Sequence, residues 1–241
     1  MEPTPAKLLW NGDTAFTVEF GESINGDLND RVLALDGVLR ETGLDGIVET
    51  VPTYRSLTVH LDPVAVDPST LAANVLSLAQ HKVGPAIRSR TWRIPVVYGG
   101  EFGIDLEAVA SHHGIGADEA VNIHASAEYR VFMLGFLPGF AYLGGLDPRL
   151  ALPRRVNPRS ITPAGTISIG GAQALVASIA APSGWHLLGR TPVRTFRPGD
   201  DPIFLFEPGD RVRFEPIDAD RWDELDRAAQ AGERIAGFVE E

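Results

Sequence analysis

Four arginines, two histidines and a glutamine carry most of the chemistry that can be read from this sequence. Arg154, Arg155 and Arg159 fall within six residues, and Arg190 follows in Gly189-Arg190-Thr191-Pro192, in a chain whose formal net charge is −11. Guanidinium groups present paired donors that match carboxylates, carbamates and carboxyphosphates. The set therefore suits an anionic or carboxylated ligand, and the plainer alternative is pairing with the chain's own acids. His124 and His186 can each act as acid or base near neutral pH, although a lone histidine usually serves the fold. Gln173 can orient an amide, having both a donor and an acceptor. His112-His113 has no third ligand at a recognisable spacing, so no metal site is expected.

The segment from Gly135 to Arg149, Gly-Phe-Leu-Pro-Gly-Phe-Ala-Tyr-Leu-Gly-Gly-Leu-Asp-Pro-Arg, is the densest unusual stretch. Gly and Pro at this density specify a fixed, non-repetitive backbone to which a ligand or partner can come close. Phe136, Pro138, Phe140 and Tyr142, with Trp185 further on, are candidate binding residues; the same aromatics could instead plug the mouth of a barrel. The sequence has no phosphate loop, dinucleotide fingerprint or nucleophile elbow. Ser160 and Ser168 lack a neighbouring histidine and acid. With no cysteine in 241 residues, disulfides, thiolate catalysis and cysteine-ligated metals are excluded.

These residues need a scaffold, and the periodicities supply two. Phe16, Val18 and Phe20 alternate as a strand. Leu28, Val32, Leu35 and Leu39 give one face of a helix opening near Asn25. Ile47 to Val51 forms a strand ended by Pro52, and Leu57, Val59 and Leu61 form another. Asp67-Pro68 caps a helix carrying Leu71, Val75, Leu78 and Ala79. The order β-α-β-β-α predicts a small split βαβ domain over residues 1–87, with a boundary in the polar stretch Lys82–Arg90.

A second domain, 88–218, begins with a strand through Ile94, Val96 and Tyr98 that stops at Gly99-Gly100. Short helices over Asp105–His112 and Ala117–His124 follow. From Tyr129 the chain turns to brief apolar runs punctuated by Gly and Pro, including Thr166–Ile169, Leu175–Ile179, Ile203–Phe206 and Val212–Phe214, the pattern of a closed β-barrel. Residues 219–241 are expected to form a C-terminal helix. The fold class is thus α+β. A hydrophobic fraction of 44% and charged fraction of 22% are those of a folded domain. The negative balance argues against nucleic acid. Without a leader-like start or a long apolar run, a cytoplasmic protein with no membrane partner is expected.

The run Gly135–Arg149 with Pro153-Arg154-Arg155, Pro158-Arg159, Pro163-Ala164-Gly165, Gln173, Gly184-Trp185, Gly189-Arg190-Thr191-Pro192 and Pro208–Phe214 strongly resembles the family of allophanate hydrolase subunit 1 and the B-type subunit of 5-oxoprolinase, which includes a Kip-type histidine-kinase inhibitor. Gly12-Asp13, Val18-Glu19-Phe20-Gly21, Tyr54-Arg55-Ser56-Leu57 and Ile94-Pro95 with Tyr98-Gly99-Gly100 extend the resemblance over the chain to about Pro216. It implies a cyclophilin-like C-terminal barrel. It also implies a homologous second subunit as partner, and a lactam-utilisation protein where the complex is a 5-oxoprolinase. The implied activity is ATP-dependent opening of 5-oxoproline to glutamate, by a complex whose ATP site can lie on a partner.

The alternatives are a carboxyltransferase subunit of the allophanate hydrolase or urea carboxylase type, and a regulatory inhibitor of a histidine kinase. On the enzymatic reading Arg154, Arg159 and Arg190 bind an anionic intermediate, Gln173 orients the amide and His124 is the acid or base. One departure concerns substrate identity: the family's usual Thr-Gly-Ile-Tyr-Pro after the glutamine is replaced by Ala174-Leu175-Val176-Ala177-Ser178.

Overall fold

A computed structural model describes residues 5–80 and 89–239. The chain divides into two compact units, Met1–Arg88 and Ser89–Glu241; the boundary stretch expected from Lys82 lies, up to Arg88, outside the described residues.

In the first unit, β1 (Lys7–Trp10), β2 (Ala15–Glu19), α1 (Gly26–Thr42), β3 (Ile47–Pro52), β4 (Ser56–Leu61) and α2 (Pro68–Gln80) follow in order. The sheet runs β1-β2-β4-β3 with every neighbouring pair antiparallel. Strands β2 and β3 are therefore parallel and separated by β4, with α1 connecting them, which is the split βαβ arrangement. Phe16, Val18, Leu57 and Val59 alternate inward and meet Val32, Leu35, Leu39, Leu71 and Val75 of the helices in one core. The caps are where the sequence places them: Asn25 Oδ1 accepts from Leu28 N at 2.9 Å, and Asp67 Oδ2 accepts from Thr70 N at 2.8 Å. Strand β1 has no signal in the sequence, because Lys-Leu-Leu-Trp does not alternate; as an edge strand it is held by register with β2 rather than by burial.

The second unit contains β5 (Thr91–Tyr98), α3 (Leu106–His113), α4 (Ala117–Ser126), β6 (Tyr129–Leu134), β7 (Ala141–Gly144), β8 (Arg159–Thr162), β9 (Thr166–Gly170), β10 (Gln173–Val176), β11 (Ala181–Ser183), β12 (His186–Arg190), β13 (Arg211–Pro216), α5 (Trp222–Gln230) and β14 (Gly237–Val239). Seven strands close a barrel in the order β5-β13-β6-β7-β10-β9-β12, and β12 returns to β5 through Gly189↔Tyr98 and Arg190↔Val97. Closure needs Gly189, since a Cβ there would stand 2.5 Å from Val97 O. Ile94, Val96, Val131, Leu143, Ile167, Ile169, Val176, Leu188 and Phe214 fill the core. Strands β8 and β11 pair as a separate two-stranded sheet.

Two expectations fail here. Ile203–Phe206 is not a strand: it makes one isolated bridge, Phe196↔Phe204, and Phe206 reaches the core from a loop flanked by Pro202 and Pro208. The C-terminal segment is a helix only over Trp222–Gln230. Gly232 at φ 100° follows it, and the chain extends into β14 along the free part of the β5 edge, with the Phe238 ring 5.5 Å from Trp92.

Candidate functional site

The outer face of the barrel sheet carries a second, small apolar cluster of Phe140, Leu175, Ala177, Ala181 and Trp185. Register explains why. Along β9 and β10 the core takes Ile167, Ile169, Ala174 and Val176, which turns Ser168, Gly170, Gln173 and Leu175 outward. A cleft of about 290 Å³ opens over this face, lined by Phe136, Phe140, Tyr142, Leu175 and Trp185, by Arg154, Arg155 and Pro158 from the arginine loop, and by Pro182-Ser183-Gly184.

The aromatic wall comes from the β6–β7 connection. Gly135 N donates to Phe140 O at 3.1 Å and Phe140 N to Leu137 O at 3.1 Å, closing a tight turn. Ser178 Oγ donates to Pro138 O and fixes the turn from the barrel side. Phe136 is the only non-glycine with positive φ among the described residues, at 69°. Its side chain is 67% exposed and meets Phe140 edge-on at 5.7 Å. A bulky residue held in this region signals a conformation that the surrounding structure enforces. Tyr142 meets Trp185 edge-on at 6.0 Å. Burial raises the Tyr142 phenol above its ordinary pKa, with the Arg154 charge opposing, so it enters the cleft as a neutral hydroxyl.

The three clustered arginines divide into two roles. Buried Asp105, just ahead of α3, accepts from Arg159 Nη1 and Nη2 at 2.9 and 2.7 Å, from Arg155 Nη1 at 3.1 Å and from Leu187 N at 2.8 Å. Burial alone would raise the Asp105 carboxyl, but the Arg159 and Leu187 hydrogen bonds and the two guanidinium charges hold it below its ordinary value. Arg155 and Arg159 are thereby committed to anchoring their loop, assisted by Arg155 N to Gly184 O at 2.7 Å and His186 Nε2 to Pro153 O at 2.9 Å. Arg154 forms no ion pair among the described residues; its guanidinium lies 5.3 Å over the Trp185 ring. None of the described residues lining the cleft is acidic. Arg154 is therefore its uncompensated charge.

Of the sequence candidates, Arg154, Phe136, Phe140, Tyr142 and Trp185 come together at this cleft. Pro138 shapes the turn behind it, Arg159 supports the rim, and Gln173 opens β10 opposite Gly170 on the same face without lining the cleft. Arg190 and His124 stand elsewhere. The Arg190 guanidinium sits 4.8 Å over Trp222, and its Nε donates to Ala164 O at 3.3 Å, tying α5 to the barrel. His124 is fully buried, stacked on Phe214 at 5.0 Å, with Tyr98 Oη 2.8 Å from Nδ1 and no partner at Nε2 among the described residues. Desolvation lowers its pKa to about 3, so it stays neutral across the physiological range, and from the barrel core it does not line the cleft. Sequence reasoning misses Asp105, because its role depends on α3 meeting the arginine loop 50 residues later. Among the described residues no group of histidine and carboxylate side chains could hold a metal ion. No helix there is long and apolar enough to cross a membrane.

A seven-stranded barrel with a split βαβ unit and this cleft can be placed among known proteins. Residues 6–206 match the carboxyltransferase domain, subdomain C and D, and the chain belongs to that family. It is 40% identical over 217 residues to the B-type subunit of the Bacillus subtilis (strain 168) 5-oxoprolinase, covering 86% of this chain and 90% of that protein. The crystal structure of TTHA0988 superposes with a TM-score of 0.76 at 35% identity, covering 85% of this chain and 40% of that one, so this chain spans less than half of that protein. The K. lactis urea amidolyase structure shares the fold at a TM-score of 0.82 and 20% identity, over 97% of this chain and 16% of that one.

Proposed function

We propose that this chain is a subunit of an ATP-dependent 5-oxoprolinase, which opens 5-oxoproline to glutamate together with a homologous second subunit and a lactam-utilisation protein. The observation that carries the reading is the 40% identity to a 5-oxoprolinase subunit over nearly the full length of both chains. The cleft fits it chemically. The substrate is a small lactam ring bearing a carboxylate, and the cleft offers a flat apolar wall, one free guanidinium and the hydroxyls of Tyr142 and Ser183. In this reading Arg154 pairs with the substrate carboxylate, Trp185 lies against the ring, and the hydroxyls address the lactam amide. Urea, neutral and ringless, would leave Arg154 unmatched and the apolar walls unused.

Hydrolysis breaks the ring C–N bond and adds water across it, the carbonyl becoming a carboxylate and the nitrogen an amine. None of the described lining residues is a ready general base, and one free cation among them with mostly apolar walls does not fit a triphosphate. We therefore assign ATP to a partner chain and give this chain the task of binding and orienting the lactam. The direct test is ATP-dependent glutamate release from 5-oxoproline by the purified three-protein complex, with this chain omitted as control. Activity is expected only when the chain is present. Arg154→Ala is expected to raise KM by about 10- to 100-fold, the worth of a charge-assisted hydrogen bond. An assembled complex indifferent to Arg154→Ala would remove this cleft from the reaction.

A further inference from the structure

The position of the free cation depends on a residue with no side chain. Arg154 is on an exposed loop, yet its guanidinium is stacked 5.3 Å over the ring of Trp185, a residue only 6% exposed and packed down on the barrel sheet. What it packs down on is Gly170, the last residue of β9. A Cβ at Gly170 would stand 2.9 Å from Trp185 Cδ2, 3.1 Å from Trp185 Cγ and 3.3 Å from Arg154 Cγ. The first distance is closer than real Cβ atoms come, and all three belong to the stacked pair. Gly170 has no positive φ, so its backbone does not demand glycine; the space above it does. Two neighbouring glycines are different in kind. Gly171 has φ of 63° and open space around it, and Gly184 would meet only ordinary contacts from 3.7 Å.

From this geometry we infer that Gly170 is a specificity-determining position: the missing side chain seats the Trp185 ring against β9, and the seated ring sets where Arg154 presents its charge. The inference deepens the proposed function and rests on Arg154 binding the substrate carboxylate. A side chain at this position lifts the ring, since Gly170 is fixed by its pairing with Gln173 and the ladder behind it, whereas Trp185 borders the open cleft. Raising the platform displaces both the stacking wall and the guanidinium from a small anionic ring, while a substrate that does not use the cation is affected less. Gly170 is a positioning residue; it acts through Trp185 and Arg154.

The test is a double-mutant cycle in the assembled complex, reading KM for 5-oxoproline and kcat separately, with thermal melts of each variant. Gly170→Ala is expected to raise KM by about tenfold, the loss of one charge-assisted contact, with kcat within about twofold of wild type. On the Arg154→Ala background the same substitution is expected to raise KM by no more than about threefold, because the guanidinium contact is already lost and only the displaced Trp185 wall is left to act. Equal effects in both backgrounds, or no effect of Gly170→Ala while Arg154→Ala is impaired, would overturn the inference and leave the cleft assignment standing. If neither variant changes KM, the cleft assignment falls with it. Should Gly170→Ala fail to fold, Trp185→Leu provides room for the new methyl group. Trp185→Leu alone is then expected to raise KM, and adding Gly170→Ala to it to change nothing further; a further rise would refute the seating role.

Discussion

Asp105→Asn tests the anchor of the arginine loop. The substitution keeps size and shape but removes the charge that holds Arg155 and Arg159, and it turns an amide N–H toward a guanidinium donor. Removing one partner of a buried ion pair costs about 3–5 kcal/mol. The Arg155 and Arg159 side chains are 31% and 22% exposed, so water recovers part of their solvation and the expected loss is about 2–3 kcal/mol. For a unit of this size that lowers the melting temperature by about 5–10 °C. Tryptophan fluorescence reports it, since Trp92, Trp185 and Trp222 lie in the second unit and only Trp10 in the first. The pH dependence gives an independent check. The folded-state pKa of Asp105 is depressed, so its contribution is present above the unfolded value of about 3.9 and is lost as pH falls through the folded value. The gap between wild type and Asp105→Asn should therefore be full at pH 7 and narrow below about pH 4. A drop of less than about 2 °C at pH 7, or a gap unchanged at pH 3, would show that the four hydrogen bonds to Asp105 do not anchor the loop.

Three further outcomes follow from the same structure. His124, neutral when folded and titrating near 3, must take up a proton on unfolding below its ordinary pKa of about 6.5. Stability should thus fall as pH drops from about 6.5 toward 3, and His124→Phe should flatten that slope in pH-dependent melts. Ser168 Oγ is buried without a partner among the described residues, so Ser168→Ala should leave stability unchanged or raise it by up to about 1 kcal/mol, read by urea denaturation; a clear loss would mean that the hydroxyl is satisfied by water. Arg190→Ala removes the stack on Trp222 and the bond to Ala164 O. It should weaken α5 docking by about 1 kcal/mol and speed proteolysis at Gly232, whereas unchanged cleavage kinetics would detach Arg190 from that role.

The parts of the fold that are legible in the sequence are those where one face is buried and the other wet. Phe16-Val18-Phe20 and Leu57-Val59-Leu61 announce strands by alternation, and Asn25 and Asp67 announce helix starts by chemistry that acts within three residues. The barrel is legible as a rhythm of short runs, but its closure is not. That depends on Gly189 meeting Val97, a contact between strands about 90 residues apart that no local pattern encodes. The site shows the same division. The aromatic loop and the arginine cluster stand out by composition, and five of the candidate residues meet at the cleft. Which arginine stays free cannot be read from the chain, because the answer is set by Asp105, remote in sequence and ordinary in type. His124 shows the converse. Its chemistry near neutral pH is a property of the solvated side chain, and the barrel core removes it by desolvation, a quantity that the residue's identity and position in a helix do not carry. Gly170 is the extreme case, since its effect comes from an absent atom and becomes visible only when Trp185 and Arg154 are placed above it.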